Sequence, residues 1–408
     1  MTENLREQEV HQAIEHTART AYGRLVAWLA TQCSDVAEAE DALAEAFSAA
    51  LRVWPEQGVP QKPESWLLTA ARRRLTDHAR HLRVRAATMA DLVEKVSETN
   101  QDPVVTDQRL LLLFVCAHPA INEDARAPLM LQTVLGLDAA RIASAWLTTP
   151  ATMSQRLVRA KTKIREAGIR FQLPDPTGLP ERLEAVLEAI YAAYGTGWED
   201  IAGADTRNRD LTTETIWLAR VLLEVLPAEP EAMGLLALLL YCESRRDSRR
   251  DASGNYVPLS EQNPKNWNQQ LINEAEQLLA TAALARRPGR FQWLAAIQSA
   301  HAQRACGRAV DWPAILSLHD ALLARGFTLG IFISRVAALA EIHGASAALD
   351  ALGEISSAAT NYQPYWVLRA HLLNRLRRKP EAEQATAHAL TLTHDLAVQA
   401  FLARESAK

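Results

Sequence analysis

Apolar residues recur along most of this chain at the three-and-four spacing of a helix. Leu43, Ala46, Phe47, Ala50, Leu51 and Trp54 fall at i, i+3, i+4, i+7, i+8 and i+11, and Leu183, Val186, Leu187, Ile190, Tyr191 and Tyr194 repeat the pattern. That spacing lays one apolar stripe along a helix of 3.6 residues per turn. No convincing run of strand alternation bounded by hairpin turns competes with it. Abundant alanine and an aromatic share of 6% lean the same way. The expected fold class is all-α.

Punctuation divides the pattern. Pro55–Pro63, with Gly58 and three prolines, reads as the end of one helix before the next, Glu64–Arg85. Residues 87–108 are acidic and weakly periodic, a linker. Pro174–Pro180 forms a second break, and Gly195–Arg209 and Ser244–Pro264 read as polar loops. The expected segments are 1–86, the linker 87–108, 109–172, 181–285 and 286–408, in keeping with 408 residues and several domains.

The sharpest local pattern lies in 109–172. Leu129–Leu135 reads as a helix ending at Gly136, Asp138 as the cap of a second, Ala139–Trp146, and Leu147-Thr148-Thr149 as a short connection. Pro150 then opens a third helix at a position where its missing N–H costs nothing. This is helix-turn-helix spacing. Met153, Leu157, Ala160 and Ile164 form the buried stripe of the third helix, and Thr152, Gln155, Arg156, Arg159 and Lys163 share a polar face. Arginine and glutamine there suit bidentate contacts to base edges in a major groove.

Charge sharpens this picture. The net charge is −4, unpromising for a nucleic-acid binder, but it is unevenly spread. Residues 1–60 hold ten acidic and four basic side chains, Trp66–Met89 six arginines against one acid, and Ala139–Phe171 seven Lys/Arg against one acid. Two basic segments suggest two separate phosphate contacts. In Glu64–Arg85 the apolar stripe is Leu68, Ala71, Leu75, Ala79 and Leu82, with Arg72, Arg73, Arg80 and Arg83 on an adjoining face. Trp66, near the start, is placed either to abut unstacked bases or to fill core. Glu38, Asp41 and Glu45 line a face that phosphate would repel, so a protein partner is expected there.

Other chemistry is set aside. Met1–Glu7 has no basic start leading into an apolar block, and no apolar run reaches the roughly 18–20 residues that cross a bilayer, so a cytoplasmic protein without a membrane contact is expected. Cys33, Cys116, Cys242 and Cys306 lie far apart with no CxxC pair. Cys116 and His118 make two potential ligands, too few for a metal site. Neither a P-loop nor a GxGxxG or GxSxG motif occurs, and Gly195-Thr196-Gly197-Trp198 is too short to cradle a nucleotide. No enzyme, catalytic residue, metal or cofactor is expected.

The segment Asp35–Phe47 resembles the polymerase-clamp-binding helix of the sigma-70 family, extracytoplasmic-function type. Trp66–Asp77 is similar to that family's helix for melting and reading the minus-ten element, and Ala151–Lys161 to its minus-thirty-five recognition helix. Cys116-Ala117-His118-Pro119-Ala120, Arg249–Gly254 and Asp311–Ile315 resemble the subgroup whose long C-terminal extension combines a domain of unknown function with tetratricopeptide-like helices.

The resemblance implies a non-enzymatic initiation factor. Residues 1–86 would be region 2-like and 109–172 region 4-like, with 181–285 the domain of unknown function and 286–408 the tetratricopeptide-like part. Core RNA polymerase would meet Glu38, Asp41 and Glu45, and promoter DNA the two basic helices. Tyr365–Arg377 and Pro380–Leu392 read as one helical pair, with Ala370, Ala382 and Ala389 as small packing residues, a surface for a protein or peptide partner. Two other classes stay open: a helix-turn-helix regulator that works without polymerase, and a tetratricopeptide scaffold that ignores DNA.

Overall fold

A computed structural model describes residues 2–86, 108–146, 148–175, 177–199, 206–393 and 396–406. The fold is all-α. Most of the acidic linker, residues 87–107, lies outside the described residues.

The chain forms two compact units, the first ending at Leu218. It contains α1 (Thr2–Cys33), α2 (Val36–Gln57), α3 (Pro63–Ala86), α4 (Arg109–Cys116), α5 (Glu123–Leu135), α6 (Ala139–Ala145), α7 (Pro150–Glu166), α8 (Leu179–Glu199) and most of α9 (Thr206–Val225). The Asp35 carboxylate caps α2 by accepting from the N–H groups of Ala37 (2.8 Å) and Glu38 (3.3 Å), which satisfies two otherwise orphaned donors. Val36, Ala39, Leu43, Ala46, Ala50 and Trp54 are buried from α2, whereas Leu51 stays 43% exposed. The break read at Pro55 comes slightly later: α2 runs to Gln57 and closes at Gly58 with φ 83°. Pro55 displaces the bond to the Leu51 carbonyl on a helix side left open to solvent.

α8 packs against α4 and α5 and buries Leu183, Val186, Leu187, Ile190 and Tyr194. Arg126 pairs with Glu181 at 3.2 Å. Arg109 pairs with Glu214 and lies 4.1 Å from the centroid of Trp217, a cation over an aromatic face. The loop expected from Gly195 is shorter than read: α8 continues to Glu199 and α9 begins at Thr206, with 200–205 outside the described residues. Gly195 and Gly197 cost a helix about 1 kcal/mol each, and the buried stripe ending at Tyr194 anchors the turns that follow.

The second unit takes the chain from Ala219. Its helices after α9 are α10 (Pro230–Ser244), α11 (Gln269–Leu284), α12 (Arg290–Ala302), α13 (Trp312–Arg325), α14 (Leu329–Gly353), α15 (Gln363–Arg375), α16 (Lys379–Thr391) and α17 (Leu396–Ser406). α10 is buried nearly all round between α11 and α12. The irregular stretch after it is pinned by Arg304, which donates to the carbonyls of Leu259 (2.6 Å), Ser260 (3.1 Å) and Gln262 (3.1 Å). α14 is long and apolar enough to cross a membrane by length and composition, but it is kinked at Gly344 (φ 85°) and packs between α13 and α15. α15 and α16 lie side by side, burying Ala370, Ala382 and Ala389.

Candidate nucleic-acid and polymerase interface

The helix-turn-helix segment is built by local rules. α5 ends at Gly136 in the left-handed conformation (φ 67°). Asp138 accepts from the Arg141 N–H at 2.8 Å at the start of α6. Thr149 then caps α7, accepting from the Thr152 N–H at 3.2 Å, with the two threonine hydroxyls 2.8 Å apart and Pro150 in the first turn. Met153, Leu157, Ala160 and Ile164 are buried against α5 and α6.

That packing decides which side of α7 faces outward. Thr152, Gln155, Arg159 and Lys163 are exposed. Arg156 is half-buried and reaches back to donate to the Asp124 carbonyl at 3.4 Å, at the start of α5. Ala151 and Val158 are exposed as well, Val158 by 62%. At 100° per residue they lie on the far side of Gln155 from Arg156. The open face is therefore rotated toward Ala151, Gln155 and Val158. A reading that weighed only polar residues passed over Val158; the geometric signal for it was its position opposite the buried stripe.

A second flank of α7 meets α2. Lys161 pairs with Glu40, both side chains largely buried (12% and 15% exposed), and Arg165 lies 3.6 Å from Asp35. Burial holds the Glu40 carboxyl above its ordinary value, although the Lys161 ammonium pulls the other way. One oxygen, Glu40 Oε1, is buried and meets no hydrogen-bond donor among the described residues. Burial also raises the Tyr22 phenol, with Glu40 and Asp41 adding to the effect. Neither Lys161 nor Glu40 was singled out from the sequence, since the partners are 121 positions apart.

On α3, Trp66 is half-buried and sits edge-on to the buried Trp54, centroids 5.5 Å apart at 71°. Arg72 is half-buried and Arg73 exposed, while Arg74 is tied to Glu45 of α2 at 2.7 Å. Arg80 and Arg83 fall on the last turns of α3, where the side chains lie outside the described residues. On α2, Asp41 and Glu45 are exposed and Glu38 is half-buried. Arg24 of α1 braces the start of α3 through Glu64 at 2.9 Å.

Cys116 and His118 point to structural roles. The Cys116 thiol is fully buried 3.5 Å from the Thr133 hydroxyl, and burial pushes it up to about 12. His118 Nδ1 accepts from the Ala120 N–H at 3.1 Å. Among the described residues no group of three His, Cys, Asp or Glu is placed to hold a metal ion.

Comparison with known proteins adds three findings. The family model for sigma-70 region 2 matches residues 18–85, which span most of α1 through α3. The model for a family of unknown function, DUF6596, matches residues 182–283. An uncharacterized protein of Rhizobium meliloti (strain 1021) is 36% identical over 372 residues, 89% of this chain and 88% of that protein.

Proposed function

The chain belongs to the sigma-70 family, extracytoplasmic-function type with a C-terminal extension, and from that premise we propose how its helices divide the work. A sigma factor's role lies in polymerase binding and transcription initiation. In this chain the acidic face of α2, Glu38, Asp41 and Glu45, docks on core polymerase. α3 captures the melted minus-ten element, with Arg72, Arg73, Arg80 and Arg83 on phosphates and Trp66 against an unstacked base. α7 enters the major groove of the minus-thirty-five element. There Gln155, Val158 and Arg159 meet base edges while Thr152 and Lys163 hold the backbone. Binding to DNA falls steeply with salt, because phosphate contacts release counterions.

The observation that carries this reading is the region 2 match, because it falls on the helices that bear the acidic face and one of the basic ones. Gel filtration of the purified chain with bacterial core RNA polymerase, without DNA, tests it. Stoichiometric co-elution is expected. Elution alone, while a housekeeping sigma factor binds, would overturn the reading in favour of a stand-alone regulator.

The extension regulates in cis, and the helical pairs of the second unit offer a surface to a protein or peptide partner. Support comes from the way the extension begins: α8 is packed on α4 and α5 rather than set apart from them. A cut after Pro174 would strip α8 from that core and so test folding. A chain ending after Leu226 keeps α8 and α9. Promoter-directed transcription altered relative to the full chain is expected; equal transcription would make the distal helices irrelevant to activity.

A further inference from the structure

His118 and the break that begins at Pro174 have no part in the surfaces assigned to DNA and polymerase, yet the fold brings them together. The turn after α4, the segment that follows α7 and the start of α8 enclose a cleft of about 320 Å³ within the first unit. Local bonds set its walls. Arg126 pins the turn after α4 by donating to the carbonyls of Ile121 (3.1 Å) and Pro119 (3.5 Å), and it pairs with Glu181 of α8. Gly168, at φ 59°, turns the chain back at the end of α7, and the buried Ile169 anchors the segment beyond it. The Asp175 carboxylate holds the entry to α8. Its Oδ1 accepts from the Thr177 N–H (3.1 Å), the Thr177 hydroxyl (2.6 Å) and the Gly178 N–H (2.9 Å).

These bonds leave several polar groups over, and all of them line the cleft. The guanidinium groups of Arg170 and Arg182 make no hydrogen bond among the described residues, although Arg182 is half-buried. His118 Nδ1 accepts from the Ala120 N–H, so the proton of the neutral ring sits on Nε2 as a further donor. Burial, with Arg182 and Arg126 nearby, holds His118 below its ordinary value and keeps it in that neutral form. Asp175 is the only carboxylate in the lining, and its Oδ2 takes none of the three bonds that Oδ1 accepts. Two cations against one anion favour a negatively charged guest, and arginine forks match the geometry of a phosphate. The free carboxylate oxygen calls for a donor on the same guest, such as a hydroxyl. Pro119, Ile169 and Leu173 add a short apolar wall. A few convergent polar groups on such a wall are what orient a small ligand, and the volume is near the lower end for such sites. We propose that this cleft binds a small hydroxylated phosphate ester, with its phosphate on Arg170, Arg182 and His118 and a hydroxyl on Asp175. A guest there would tie the end of α7 to the start of α8. The site needs neither DNA nor polymerase and stands apart from the roles proposed for α2, α3 and α7.

Isothermal titration calorimetry of the full chain at constant ionic strength tests it. Ribose 5-phosphate serves as the probe, and inorganic phosphate and ribose serve as its two halves. Ribose 5-phosphate should bind one to one. Inorganic phosphate should bind about tenfold more weakly, since it lacks the hydroxyl for Asp175, and ribose should give no heat. Arg170→Gln and Arg182→Gln should each weaken the ester by about tenfold. Arg170 is exposed and bonds to nothing among the described residues, so its variant decides the matter even if Arg182→Gln fails to fold. Asp175→Asn keeps an oxygen for the Thr177 and Gly178 N–H groups but puts an NH2 in place of Oδ2. It should bring the ester down to the affinity of inorganic phosphate. Arg308→Gln, at an exposed arginine of the second unit, should change nothing. No heat from ribose 5-phosphate at about 1 mM would overturn the site. So would full affinity in Arg170→Gln, or an equal loss in Arg308→Gln, which would make the binding a matter of diffuse charge. Equal affinity for the ester and for inorganic phosphate would overturn the part given to Asp175 and the ester with it.

Discussion

α7 enters the fold behind a capped turn, with its apolar stripe complete and one flank bound to α2, so that a defined face is left open. α3 carries the same excess of four basic over acidic side chains, six arginines against two acids where α7 has three arginines and two lysines against one, but its ring system and its cations are divided differently. Trp66 leans on Trp54, Arg74 is engaged by Glu45, Arg72 is half-buried and Arg73 is exposed. Equal basicity thus conceals unequal availability. What sorts a cation toward nucleic acid or toward the protein is the neighbour that packing supplies, and composition carries no record of it. The same holds within α7, where Arg159 faces out and Lys161, two residues on, is nearly buried.

The comparison breaks most visibly at the two tryptophans. Trp54 is 1% exposed, and Trp54→Ala should cost about 3–5 kcal/mol of stability through the cavity it leaves. Trp66→Ala should cost less stability but weaken binding to a melted strand by about 1–3 kcal/mol. Thermal unfolding paired with fluorescence titration of single-stranded DNA separates the two. A Trp66→Ala variant as unstable as Trp54→Ala, with single-strand binding intact, would make Trp66 core and nothing more.

Next in size are the cations of α7. Arg159→Ala should lose about 1–3 kcal/mol of discrimination between matched and mismatched upstream elements. Arg156→Ala should lose less, because its guanidinium is already directed at the Asp124 carbonyl. Competition binding of duplex variants to the polymerase complex gives both numbers on one scale. If Arg156→Ala proved the more damaging, the arginine must swing away from α5 on binding and the open face must be wider than the free chain presents. Val158→Ala should have a smaller effect, about 1 kcal/mol, confined to the base pair it touches, since an apolar contact to a thymine methyl amounts to little more than a buried methylene or two.

These differences mark where the sequence was legible. The α7 stripe and its start followed from local pattern alone, because Met153, Leu157, Ala160 and Ile164 repeat with the helix and Pro150 marks its first turn; that Thr149 caps it is seen only in the structure. The face that α7 leaves open did not follow, because a periodic stripe fixes an axis and not which flank a second element covers. Glu40–Lys161 was beyond reach for the same reason: each residue sits on an ordinary amphipathic helix, and only the tertiary fold makes them partners. The end of α2 shifted past Pro55 because a proline forbids one backbone bond and not a whole turn. The early helices of the extension, expected beyond the second break, pack within the first unit through α8: the spacing of its stripe was legible, while nothing in the sequence named α4 and α5 as the surface it covers.

The smallest effect concerns the pair that joins α3 to α2. Glu45 and Arg74 are both more than half exposed, 54% and 57%, at 2.7 Å. A double-mutant cycle with Glu45→Ala and Arg74→Ala should therefore give a coupling of only about 0.2–1 kcal/mol in thermal or denaturant unfolding, shrinking as salt is added. Its interest lies in a competition. Glu45 is assigned to polymerase, and a carboxylate held by Arg74 is partly spoken for. Arg74→Ala should then raise polymerase affinity slightly at low salt and leave it unchanged at high salt, where the intramolecular pair is already screened. A loss of affinity in Arg74→Ala at both salt concentrations would instead place Arg74 itself on the polymerase and make Glu45 its positioning partner, giving α3 a protein-facing side that α7 lacks.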